Sequence, residues 1–117
     1  MLPNLHSRLY QKWLTTLEQL QHNALHPEAS KELLRKNFQP VQIFFQTEII
    51  NLTSAELDPA LAPKWQSIQR EIHRGYKLLE TDMMFLQSSR QPQTTQARIK
   101  TIQQRLEQLI GYCQQML

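Results

Sequence analysis

With 117 residues, 40% of them hydrophobic and 20% charged, the chain can build one hydrophobic core but not two. That composition belongs neither to a disordered segment nor to a membrane protein. The formal net charge is +3, with Lys and Arg spread among Glu and Asp along the chain, whereas a dedicated nucleic-acid binder concentrates its cations on one element.

The single cysteine, Cys113, excludes an internal disulfide and suits a reducing cytoplasm. The opening MLPNLHSRLY has no apolar core of signal-peptide length, and the longest purely apolar run, Met83 to Leu86, is far too short to span a membrane. A cytoplasmic protein without membrane insertion is expected. Only two glycines, Gly75 and Gly111, occur, which argues against tight hairpins and phosphate-cradling loops and for long helices.

The first helix is expected from about Pro3 to Leu25, with Leu5, Leu9, Trp13, Leu17, Leu20 and Ala24 stepping by three or four along one face. Pro3 suits a first helical turn, and Pro27 ends the helix by forcing the residue before it out of the α region. A second helix is expected to start near Pro27, with Leu34, Phe38, Val41, Phe45, Ile49 and Leu52 as its stripe. Pro40 interrupts that stripe without shifting its phase, so one helix with a kink or short break near Phe38–Gln39 is favoured over two helices.

The longest connection runs from Asn51 to Pro63. The third helix is expected from Pro63 to Ser89, with Leu61, Trp65, Ile68, Ile72, Gly75, Leu79, Met83 and Leu86 keeping period without a slip. Gly75 on that face predicts a close helix approach. After a turn at Arg90–Thr94, Thr94 or Thr95 should cap a last helix carrying Ile99, Ile102, Leu106, Leu109, Cys113 and Met116. Such helices are each about 33 to 40 Å long. Short links between the first and second, and the third and fourth, predict one all-α domain, an up-down-up-down antiparallel four-helix bundle with a proline-kinked second helix.

Catalytic chemistry is hard to place on this pattern. A di-iron bundle needs Glu-x-x-His on two helices, and no Glu or Asp here has a His three residues later. His22 and His26 share a helical spacing, but at a fraying helix end and with no third ligand beside them. Cys113 sits in an apolar stripe as a small hydrophobe rather than a nucleophile, and His73 has no Ser or Cys partner at a useful spacing. No cofactor, no metal and no enzymatic activity are expected.

Two features point instead to a protein-binding surface. Arg70, Arg74 and Lys77 recur at helical spacing beside the apolar stripe of the third helix, with Glu71 and Glu80 neutralising part of their field. Within Met83-Met84-Phe85-Leu86 one helix face cannot bury all four side chains, so Met84 and Phe85 are candidates for an adaptable exposed patch. Arg90, in the following turn, completes the candidate docking surface.

The stretch Thr81-Asp82-Met83-Met84-Phe85-Leu86-Gln87-Ser88-Ser89-Arg90-Gln91-Pro92, followed by Thr94, Arg98, Arg105-Leu106, Leu109-Ile110 and Tyr112-Cys113, resembles the PatD family, small cyanobacterial proteins that control heterocyst frequency. The second half of the chain carries the resemblance; the first half shares only length and helical pattern. The resemblance implies a non-enzymatic cytoplasmic regulator that contacts the tubulin-like division protein FtsZ and modulates its polymer assembly, and it assigns no individual site residue. A nucleic-acid-associated developmental regulator is the alternative, but a helix-turn-helix needs a short recognition helix after a tight turn, which these long helices fit poorly. A core-bound tetrapyrrole would need an axial ligand that the stripes do not offer.

Overall fold

A computed structural model describes residues 2–117, which form four helices: α1 (Asn4–Leu25), α2 (Lys31–Phe44), α3 (Ala62–Ser88) and α4 (Pro92–Met116). No strand occurs among the described residues, so the fold is all-α. Prolines mark the helix starts. Pro3 stands at the N-cap of α1, Pro63 in the first turn of α3 and Pro92 at the first position of α4, where a missing N–H leaves nothing unsatisfied. His26, extended at φ −68° and ψ 140°, ends α1 directly before Pro27.

Three expected boundaries shift. The second helix starts at Lys31 rather than near Pro27, because Ser30 caps it, its hydroxyl accepting from the Leu33 N–H at 3.1 Å. The last helix starts at Pro92 rather than under a threonine cap; the Thr95 hydroxyl instead meets that of Ser89 at 2.8 Å. No break occurs at Phe38–Gln39: α2 runs through Pro40, and the backbone leaves α geometry later, in a π-helical segment over Phe45–Ile49. There the Ile50 N–H reaches back five residues to the Phe45 carbonyl at 2.9 Å.

The stripes of α3 and α4 bury largely as expected, with Ile72, Leu79, Leu86, Ile102, Leu106, Leu109 and Cys113 fully enclosed. On α1 the phase differs at the start. Leu5 is 55% exposed, and the inward positions are His6 and Tyr10, which continue through Trp13, Leu17, Leu20 and Ala24. An aromatic cluster ties three elements together: Phe45 stacks on Tyr76 at 3.9 Å between ring centres, and the Trp13 indole donates to the Val41 carbonyl at 3.1 Å.

Helix α3 packs closely on α4, and α1 packs on both α4 and α2, while α2 and α3 touch far less. Gly75 permits the α3–α4 approach: a Cβ there would lie 2.7 Å from Leu109 Cδ2. Asp82 meets Arg105 at 3.0 Å, and Ser89 meets Thr95, so these contacts descend one helix while climbing the other. The molecule measures 50 × 20 × 19 Å, and the side between α2 and α3 is its open side.

Candidate functional site

The outer ridge of α3 carries most of the expected docking residues, because positions three and four apart stack along one helical face. Arg70, Arg74 and Lys77 are exposed; so are Met84, at 71%, and Phe85, at 47%. Arg90 is exposed in the turn that follows. The six do not share one groove. Arg74 borders a hollow against α4 with Leu78 and Tyr112, Arg70 borders one beside Leu52, and Lys77 and Met84 border the open side towards α2. Phe85 turns towards α4, where the Arg98 guanidinium covers its ring at 4.7 Å. Lys77 stands 3.5 Å from Glu80, whereas Arg70 and Arg74 form no ion pair among the described residues.

A second polar assembly lies inside. The Tyr10 hydroxyl donates to Gln69 Oε1, and the Gln69 amide donates to the Ile49 carbonyl at 3.0 Å and meets His73 Nε2 at 3.1 Å. A carbonyl can only accept, so the amide nitrogen must face Ile49, and His73 Nε2 must then accept the second amide proton. His73 is therefore neutral, protonated on Nδ1. Burial lowers its pKa from the ordinary 6.5, and the neighbouring Lys77 charge lowers it further. Burial likewise drives the Tyr10 hydroxyl far above the usual tyrosine range.

His6 joins the same end of the bundle through Thr53, its Nε2 lying 3.0 Å from that carbonyl. His6 also packs edge-on against Trp65 at 5.9 Å. His6 Nδ1 and Trp65 Nε1 are buried without a hydrogen-bond partner. None of this assembly was visible in the sequence, where Gln69 looks like a surface residue and His6 falls beside the leucine stripe. The one available signal was that His6, Tyr10, Gln69 and His73 each follow a residue of the expected apolar stripes, Leu5, Leu9, Ile68 and Ile72.

The other candidate groups lie apart. His22 and His26 are exposed, and His26 Nδ1 accepts the Glu28 N–H at 3.0 Å. Cys113 is buried, and loss of solvent pushes its thiol pKa up to about 12, so little thiolate exists at neutral pH. Among the described residues no three His, Cys, Asp or Glu side chains gather as metal ligands would, and no helix is long and apolar enough to cross a membrane. The geometry thus defines a helical bundle with a basic, partly apolar outer ridge. No family model matches the chain, and no curated protein or solved structure matches it either.

Proposed function

We propose that the protein is a non-enzymatic cytoplasmic regulator that binds the tubulin-like division protein FtsZ and modulates its polymer assembly, linked to heterocyst frequency as the PatD resemblance implies. The observation that carries this reading is the ridge of α3, where solvent-exposed Met84 and Phe85 continue a row of exposed Arg70, Arg74 and Lys77. Apolar side chains among cations are adapted to an acidic protein surface, and Met and Phe supply contact area that solvation alone does not require. Arg90 extends the row past the helix end.

The same proposal includes a rigid scaffold: helices alternating up-down-up-down, with Pro40 bending α2. The Lys31 ammonium on the Ser89 carbonyl, and Gln103 donating to the Ala24 carbonyl at 2.8 Å, support the alternation by joining the start of α2 to the end of α3, and α4 to the end of α1. Missing its N–H, Pro40 leaves the Lys36 carbonyl without its helical donor, which supports the bend.

Co-sedimentation with assembled FtsZ tests the function. The wild-type protein should pellet with the polymer, less so as salt shortens screening to about 8 Å. Arg70→Glu, Arg74→Glu and Lys77→Glu together should stay in the supernatant while keeping the helical circular dichroism. Equal pelleting of this triple variant would reduce the ridge to a solvated face. A wild-type protein that stays in the supernatant but retards duplex DNA at physiological salt would replace the division-protein reading with one at DNA.

A further inference from the structure

Between α2 and α3 the bundle is not closed. A groove of about 780 Å³ runs along this side, its α2 wall carrying Arg35 and Phe38 and its α3 wall Lys77, Glu80, Met83 and Met84. The floor is apolar: Phe38 and Met83 are 7% and 4% exposed, and Met84 rises from the rim at 71%. On α3 the wall continues from Lys77 to Ser88, which is about 16 Å of helical rise, or three turns.

Each wall presents one cation, Arg35 on α2 and Lys77 on α3. Arg35 approaches only Glu32, at 3.9 Å, with both side chains more than half exposed, so the pair holds it weakly. Glu80 is the one carboxylate on the groove wall, and it is already engaged. One of its oxygens accepts the Tyr76 hydroxyl at 3.0 Å and the other faces Lys77 at 3.5 Å. Lys77 itself is 69% exposed, free to swing towards an incoming carboxylate.

We propose that this groove receives an amphipathic helix of a partner protein, about three turns long, as a fifth helix on the bundle. Its apolar face, spaced by three and four residues, meets Phe38, Met83 and Met84, and its flanking Asp or Glu residues meet Arg35 and Lys77. The inference rests on the reading of the protein as a binding module, and adds the surface and the kind of segment bound. A helix suits the site because both walls are helices presenting ridges at that spacing, and no strand edge exists among the described residues to pair with an extended peptide. Unbranched methionines let the floor adapt to the side chains that arrive. The groove lining carries two cations, Arg35 and Lys77, against one carboxylate, Glu80, so its charge favours an acidic partner.

Fluorescence anisotropy on the full chain tests the groove with two labelled helical peptides of identical leucine spacing, one flanked by Glu and the other by Lys. The Glu-flanked peptide should bind at least about tenfold more tightly. Met84→Glu and Arg35→Glu, each at an exposed position, should weaken it by about tenfold or more with the helical spectrum unchanged. Met84→Leu should preserve binding, as should Lys100→Glu at an exposed position of α4 outside the groove. Failure of the Glu-flanked peptide to bind, equal affinity for the two peptides, or indifference to Met84→Glu would overturn the proposal. So would sedimentation showing a wild-type dimer that Met84→Glu converts to monomer, which would make a second copy the occupant. Peptide binding without FtsZ pelleting leaves the groove standing and removes the division-protein reading. Pelleting without peptide binding does the reverse.

Discussion

Where α1 begins and α2 finishes, the core is held by directed bonds: Tyr10 to Gln69, Gln69 to Ile49 and His73, and His6 to Thr53. Towards the opposite end the interior positions are hydrocarbon, among them Leu20, Leu34, Leu79, Leu86 and Ile102, all fully buried. Hydrogen bonds between buried groups fit one register only, because a slipped helix would strand a donor or an acceptor in a dry core. Packed hydrocarbon is less exacting and tolerates rearrangement as long as volume is kept. The open groove lies along the hydrocarbon half, where the directed bonds from α2 to α3 gather at Lys31: its ammonium holds the Ser89 carbonyl and its carbonyl accepts from the Gln87 amide at 2.9 Å. The polar half is thus suited to fix the scaffold and the apolar half to accommodate a partner.

The largest expected effect tests the hydrocarbon half. Leu20→Ala removes a fully buried side chain and should cost about 2–5 kcal/mol in urea unfolding. Met84→Ala, in the same half but exposed, should stay within about 0.5 kcal/mol of wild type. A cost below about 1 kcal/mol for Leu20→Ala would mean that this half collapses around cavities, and that its core is not packed as the structure has it.

Next comes the polar half. Gln69→Leu strands the Tyr10 hydroxyl and removes a donor from the Ile49 carbonyl, and each buried group so orphaned costs about 1–3 kcal/mol. Adding Tyr10→Phe deletes one of the stranded groups, so the double variant should be more stable than additivity predicts, by about 0.5 kcal/mol or more in a double-mutant cycle. Strict additivity would show that Tyr10 and Gln69 act independently and that the network fixes no register.

How these two halves were represented in the sequence follows from the same physics. Hydrocarbon burial leaves a period: Ile72, Leu79, Met83 and Leu86 on α3, and Ile99, Ile102, Leu106 and Leu109 on α4, announce their inward face. Directed bonds leave none. Nothing near His6 or Gln69 in sequence reveals Thr53 or Tyr10 as a partner, so leucine spacing drew the first stripe through Leu5, which proves exposed. The Ser30 cap lay in plain view, yet the expected start of α2 was set upstream of it, near Pro27. The exposed ridge was legible, because Arg70, Arg74, Lys77, Met84 and Phe85 are neighbours on one helix. The groove was not, since Arg35 and Phe38 face Met83 only through the packing of two helices that share a long connection.

The two glycines give a smaller contrast within the α3–α4 pair. Gly111 has open space where a Cβ would stand, so Gly111→Ala should stabilise by about 0.5–1 kcal/mol through helix propensity alone. At Gly75 a Cβ meets Leu109 Cδ2 at 2.7 Å, and the branched Gly75→Val should cost about 1–3 kcal/mol by overpacking. Thermal unfolding of both variants decides it, and stabilisation by Gly75→Val would show that α4 can move away from α3 at little cost.

The smallest effect is the pH response of His73, a probe of whether the polar half holds its hydrogen-bond pattern. In the folded protein its pKa lies below 6.5, because burial and Lys77 disfavour the imidazolium, and a charged ring would also turn a donor towards the Gln69 amide. The unfolded chain therefore takes up this proton more readily than the folded one. By linkage, the His73 contribution is intact above pH 6.5 and is lost as pH falls from there through the lower folded value. His73→Gln keeps an acceptor for the Gln69 amide and cannot titrate. Melting temperatures measured from pH 7.5 down to about 5 should fall more steeply for wild type than for His73→Gln, with the two curves separating only below about pH 6.5. Parallel curves would mean that the ring accepts its proton as freely folded as unfolded. The amide would then have to face elsewhere, and the chain of bonds from Tyr10 through Gln69 to His73 would end one residue short.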